Sequence, residues 1–121
     1  MKIFSGSSNV PLAEEIAKGL GVPLSQVDRS TFPNGEIRIR VQEDVRRENA
    51  VLIQSFSEPV DFHIMEFALI ADALKRGGVR KIIGVIPWLG YSLQDKVFTG
   101  GEPIAAKVVA DFVSQEVKRH I

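Results

Sequence analysis

With 121 residues, 45% of them apolar, the chain is long enough for one domain with a core and too short for two. Its 15 Lys and Arg balance 15 Asp and Glu, so no global field draws in nucleic acid or an anionic membrane, and any phosphate recognition must be local. The absence of Cys excludes disulfide frameworks, thiolate zinc sites and cysteine nucleophiles and fits a cytoplasmic protein; no stretch reaches the ~18 apolar residues of a spanning helix or resembles a signal peptide, so solubility is expected.

Ile3 and Phe4 form a short apolar strand that ends at Ser5-Gly6-Ser7-Ser8-Asn9, small residues suited to turning the chain and capping a helix. The helix should begin near Pro11, whose missing N–H costs nothing in a first turn, with Glu14 and Glu15 toward its positive end and Leu12, Ile16 and Leu20 on one face. Gly19, Gly21 and Pro23 end it. Val27 to Phe32 reads as extended, Pro33-Asn34-Gly35 as a turn, and Ile37, Ile39 and Val41 alternate with Arg38, Arg40 and Gln42. This predicts a half-exposed hairpin around residues 27–42.

Val51-Leu52-Ile53 does not alternate, as expected of a strand covered on both faces. Asp61 to Arg76 reads as a helix with apolar residues around most of its circumference, closed by Gly77-Gly78. Ile82 to Pro87 is a second covered strand, Trp88 to Glu102 a long loop, and Pro103 opens a helix expected to bury Ala105, Val108, Val109, Phe112 and Val113. Alternating strands and helices predict an α/β fold, a mostly parallel sheet with helices on both faces. In such sheets ligands bind beyond the carboxyl ends of the strands, which marks the loops after Phe4, Ile53 and Pro87. The chain stops where a further strand is expected, the pattern of a truncation.

Several segments could carry chemistry. The loop Ser5–Asn9 could hold a phosphate on its N–H groups, but it has neither spaced glycines nor a Lys, and a plain strand-to-helix turn is the favoured reading. Thr31-Phe32-Pro33-Asn34-Gly35-Glu36 sets an aromatic ring, an amide and a carboxylate around a turn, a set that can stack on a base and read its edge; composition alone favours a surface hairpin. Trp88 to Lys96 gathers large aromatics, an amide and opposite charges at the ligand edge, although Trp88 and Tyr91 could equally cover the core. His63 lacks a companion at metal-ligand spacing and reads as a partly exposed structural residue. His120 is assigned no role. Arg46 and Arg47 read as a solvated face that could also bind phosphate.

Four stretches together resemble the ribose-phosphate pyrophosphokinases in order and spacing: Lys2-Ile3-Phe4-Ser5-Gly6, Phe32-Pro33-Asn34-Gly35-Glu36, Val51-Leu52-Ile53-Gln54-Ser55, and Pro87-Trp88-Leu89-Gly90-Tyr91 running into Gln94-Asp95-Lys96 and Gly101-Glu102-Pro103-Ile104. Met65-Glu66 and Asp72 to Arg76 extend the match over nearly the whole chain. The resemblance implies a type I phosphoribosyltransferase-like fold, with residues 1–121 as a single N-terminal domain and the C-terminal domain absent. It implies an enzyme that moves the β,γ-diphosphoryl group of ATP to ribose 5-phosphate with Mg²⁺, a reaction governed by positioning and charge neutralisation. By matching positions, Phe32 would stack on adenine and Asn34 and Glu36 would hydrogen-bond it across a dimer interface, while Gln94, Asp95 and Lys96 would lie beside the nucleotide.

Leu93 stands where the family motif has Arg, and Val97 and Thr99 replace residues that are often basic, which removes charge-assisted phosphate contacts. The family's metal-binding His, catalytic loop and ribose 5-phosphate loop have no counterpart in these residues. The resemblance therefore implies ATP binding and homo-oligomer formation without catalysis by this chain alone, with no metal site of its own. A non-catalytic regulatory or binding homologue is the alternative, and an unrelated nucleotide-binding α/β domain a third reading.

Overall fold

The computed structural model describes residues 1–117. In chain order the elements are β1 (Lys2–Ser5), α1 (Val10–Leu20), β2 (Asp28–Thr31), β3 (Ile37–Arg40), β4 (Asn49–Ile53), α2 (Val60–Arg76), β5 (Lys81–Val85) and α3 (Ala105–Val117). Strands β1, β4 and β5 form a parallel sheet in that order, with Phe4 beside Leu52 and Leu52 beside Gly84. On the other side of β1, Leu24 makes one parallel bridge to Ile3. The chain thus steps one way from β1 to Leu24 and then back across to β4, so the strand order reverses at β1.

The two faces of the sheet are covered by different helices. Ile3, Val51 and Ile53 pack with Ala13 and Ala17 of α1. Phe4, Ala50, Leu52 and Ile82 pack with Phe67, Ile70, Ala71 and Leu74 of α2 and Val113 of α3. Burial on both sides explains why β4 shows no alternation: Ala50, Val51, Leu52 and Ile53 are all buried. The antiparallel pair β2–β3 forms the expected hairpin, with Ile39 and Val41 against the α2 side of the core and Arg38 and Arg40 facing out.

Helix ends follow local chemistry. The Asn9 side chain accepts the Leu12 N–H at the start of α1. At its end Gly21 takes φ +68°, and the Val22 N–H reaches Ala17 O while the Gly21 N–H reaches Lys18 O, the Schellman pairing.

Four packing expectations are corrected. Helix α1 turns Ala13 and Ala17 to the sheet and leaves Leu20 exposed, because small side chains let the helix lie close; Leu12 and Ile16 are only half-buried. Strand β5 buries Ile82 but exposes Ile83 and Gly84, since among the described residues it is the sheet edge and the α1 layer reaches only its Val85. In α3, Ala105 and Val113 are buried while Val108 and Phe112 are exposed, as is Met65 of α2, so both helices keep an apolar stripe in contact with solvent. His63 is buried, its Nδ1 2.7 Å from Ser57 O, which supports the structural role but not the partial exposure. His120 lies outside the described residues.

Candidate functional site

The reversal of strand order directs attention first to the carboxyl ends of β1 and β4. That crevice is filled by the protein's own side chains. Glu66, fully buried on α2, accepts through Oε1 from the Ser7 N–H (2.8 Å), the Ser7 hydroxyl (2.9 Å) and Gln54 Nε2 (2.6 Å). Gln54 Oε1 accepts from the Ser8 N–H at 3.1 Å and its hydroxyl at 2.6 Å. Glu66 Oε2 lacks an aligned hydrogen bond but lies 2.8 Å from Arg29 Nε, whose Nη2 donates to Ser5 O at 2.9 Å. Charge more than alignment holds that contact. The N–H groups of Ser7 and Ser8 are therefore committed internally, and Ser5–Asn9 is a braced strand-to-helix turn, the reading favoured by its composition.

Sequence reasoning gave Arg29, Gln54 and Glu66 no place in this brace. Two signals pointed to it: a polar residue directly after an apolar strand, and a carboxylate inside an apolar helix face, each of which needs a partner when buried.

At the hairpin tip, the Gly35 N–H donates to Phe32 O at 2.8 Å and the Phe32 N–H to Glu36 O at 2.7 Å, with Gly35 at φ +92°. This is a three-residue loop whose third position needs the freedom of glycine. Asn34 Nδ2 donates to Glu36 Oε1 at 2.7 Å and the Glu36 N–H to Asn34 Oδ1 at 3.1 Å, so the amide and the carboxylate share one edge of the tip. Beside them Phe32 holds 47% of its surface in solvent. An aromatic kept exposed by a well-bonded turn is pre-organised for contact.

The loop after β5 is held at several points. Trp88 O accepts the Phe56 N–H at 2.8 Å, and a Cβ on Gly90 would stand 2.7 Å from Val60 Cγ1, so only glycine lets the loop press against α2. Tyr91 takes φ +69°, unusual for a side chain of its size, and its hydroxyl donates to Asp61 Oδ1. That hydrogen bond, with burial and the carboxylate charge adding to it, raises the Tyr91 phenol above its ordinary value. The Gln94 N–H donates to Tyr91 O at 2.9 Å, and Gln94 O accepts the Ala106 N–H at 3.0 Å, tying the loop to the start of α3. Gln94 and Asp95 are exposed, and Lys96 Nζ lies 5.3 Å from the centre of the Phe98 ring.

Two open cavities flank Tyr91 and Asp61. One, of about 540 Å³, is lined by Phe62, Trp88, Leu93 and Gln94 among others; the second, of about 550 Å³, is an apolar groove between α2 and α3 lined by Met65, Val108 and Phe112. Phe32, Asn34 and Glu36 line neither cavity. The structure thus gathers Phe32, Asn34 and Glu36 at one tip and Gln94, Asp95 and Lys96 in one loop, as two separate groups within the chain. Among the described residues there is no cluster of three or more His, Cys, Asp or Glu able to hold a metal, so the Mg²⁺ implied by the resemblance has no cage here and no step is assigned to it. No helix among them is long and apolar enough to cross a membrane.

A family model described as the N-terminal domain of ribose phosphate pyrophosphokinase matches residues 1–116. The chain is 40% identical over 115 residues to a ribose-phosphate pyrophosphokinase of Nostoc sp., covering 95% of this chain and 35% of that protein. It is 43% identical over 114 residues to one from Thermotoga maritima, covering 94% and 36%. The crystal structure of phosphoribosylpyrophosphate synthetase from Mycobacterium smegmatis superposes with a TM-score of 0.91 at 37% identity, over 95% of this chain and 39% of that one. The chain spans about a third of the length of the curated relatives it matches. Its α/β fold is phosphoribosyltransferase-like, and the chain belongs to the family of ribose-phosphate pyrophosphokinase N-terminal domains.

Proposed function

We propose that this chain supplies the ATP-binding and oligomerisation domain of an enzyme that transfers diphosphate from ATP to ribose 5-phosphate, and that it is catalytically incomplete alone. Phe32 stacks on the adenine of a nucleotide bound by a neighbouring copy, Asn34 and Glu36 read its exocyclic groups, and Gln94, Asp95 and Lys96 of that neighbour flank it. The observation that carries this reading is the hairpin tip: a ring 47% exposed beside a paired amide and carboxylate. A pocket shared between copies also fits the separation of the two residue groups within one chain. Mg²⁺ would arrive with the ATP phosphates, and ribose 5-phosphate binding would need the remainder of a longer protein.

Stacking on an aromatic contributes about 1–3 kcal/mol per base. Phe32→Ala is therefore expected to weaken ATP binding by about ten-fold in equilibrium dialysis. Unchanged affinity would remove the hairpin from the site.

The alternative, a non-catalytic regulatory homologue, draws support from Leu93, which is 81% exposed where the resembling motif has Arg. A hydrogen bond to a charged group is worth about 1.5–3 kcal/mol, so Leu93→Arg should tighten ATP binding at least ten-fold if a phosphate contact is missing there. No gain would mean that the loop binds phosphate by other groups, which favours the enzyme reading.

A further inference from the structure

Asn9, Asn34 and Asn49 are the Asn residues of the chain, and Asn34 alone precedes Gly; Val10 and Ala50 follow the others. A main-chain nitrogen can attack the side-chain amide of the Asn before it, and a Cβ on the attacking residue obstructs that approach. Gly35 therefore leaves Asn34 the most open of the set. Residues 31–36 are all exposed, which gives water access to the tip.

The hairpin then sets the reacting atoms. Asn34 Oδ1 accepts the Glu36 N–H at 3.1 Å, which folds the side chain back over the peptide that follows and puts a donor where an oxyanion would form. Two other bonds restrain the same atoms. The Gly35 N–H, whose proton must be lost, donates to Phe32 O at 2.8 Å, and the leaving nitrogen, Asn34 Nδ2, donates to Glu36 Oε1 at 2.7 Å. Activation and restraint thus meet on one amide, which Glu36 holds at both its oxygen and its nitrogen.

We propose that Asn34-Gly35 is a self-modification site, at which the chain converts its own amide to isoaspartate at a rate held down by the Glu36 side chain. The Gly35 nitrogen forms a bond to Asn34 Cγ and gives its proton to solvent; the Cγ–Nδ2 bond breaks, and Nδ2 takes up a proton and departs as ammonia. Water then opens the resulting succinimide, at Cγ to give Asp or at the main-chain carbonyl to give isoaspartate. Nothing is oxidised or reduced: one water enters and one ammonia leaves. Isoaspartate routes the chain through the Asn34 Cβ. That lengthens a loop closed by the bond from the Phe32 N–H to Glu36 O at 2.7 Å, and so displaces the Phe32 ring.

The site does not depend on the nucleotide reading above, and its test uses no nucleotide. The intact chain is held dilute in mildly alkaline water enriched in heavy oxygen, then digested and mapped by mass spectrometry with fragmentation that separates isoaspartate from Asp. Asn34 is expected to convert with uptake of heavy oxygen, and Asn9 and Asn49 at least about ten-fold more slowly, because Val10 and Ala50 crowd the attack. Glu36→Ala should speed conversion about ten-fold, the worth of one hydrogen bond to a charged group, and Glu36→Gln, which keeps an acceptor, should stay near the wild-type rate. In urea all of these chains should convert alike, which separates the restraint from any local effect of the substituted side chain. Circular dichroism confirms that each variant folds.

An Asn34 that converts in urea but remains an amide in the folded chain overturns the site. A folded Glu36→Ala that converts no faster than wild type overturns the restraint by Glu36.

Discussion

Tyr91 combines a left-handed backbone with a hydroxyl fixed on Asp61. A bulky residue at φ +69° stays there only when surrounding contacts outweigh the backbone cost of about 1–3 kcal/mol. Tyr91 is the one Tyr in the chain, so its ionisation can be followed by absorbance without overlap. The phenol should titrate above its ordinary value of about 10, and Asp61→Asn should bring the midpoint back toward that value. Because the folded-state value is raised, the stabilisation is complete below pH 10 and fades as pH climbs through the higher folded-state value. A midpoint that Asp61→Asn leaves unmoved would mean the hydroxyl is not held.

None of this was legible in the sequence, where Asp61 and Tyr91 stand 30 positions apart and neither is unusual in type. Phe32, Asn34 and Glu36 were legible for the opposite reason. Their arrangement is set within five residues by Pro33 and by glycine at φ +92°, and so needs no knowledge of the rest of the fold.

At the level of elements, the Glu66 brace links β1, β4, α2 and the hairpin through Ser7, Gln54 and Arg29. Glu66→Gln keeps the shape but removes the charge opposite Arg29. Breaking a buried ion pair costs about 3–5 kcal/mol, and because the Arg29 side chain is 31% exposed the lower end applies, about 3 kcal/mol. Urea unfolding should show that loss as a lower midpoint with an unchanged slope. A shift below about 0.5 kcal/mol would show that water compensates both partners.

Strand and helix positions were read correctly where periodicity and end signals agreed, as in α2, closed by the glycine pair Gly77-Gly78, and β4. Which face each element buries was read less well. The pattern on α3 marks Val108 and Phe112 as apolar, and periodicity alone does not distinguish a stripe facing the sheet from one facing a groove. Likewise the apolar run of β5 does not disclose that β5 is an edge among the described residues, which depends on strand order.

On the scale of the whole molecule, the groove between α2 and α3 presents Met65, Val108 and Phe112, exposed at 48%, 60% and 37%. An apolar surface of this kind favours association, and the oligomerisation proposed above gains a candidate face. Sedimentation velocity should show concentration-dependent self-association, and Val108→Lys should reduce it by placing an ammonium in the groove. A wild-type chain that stays monomeric at high concentration would count against an oligomer built from this domain.

Strand β5 has a neighbour on one side only among the described residues, so its other flank offers backbone N–H and C=O groups to any extended peptide. Lys81 blunts that flank only in part, since Ile83, two residues on and on the same face, is apolar and exposed. Among the described residues the sheet is therefore open to growth in one direction, and whether that margin is paired, screened by charge or left bare sets how readily it takes on another strand.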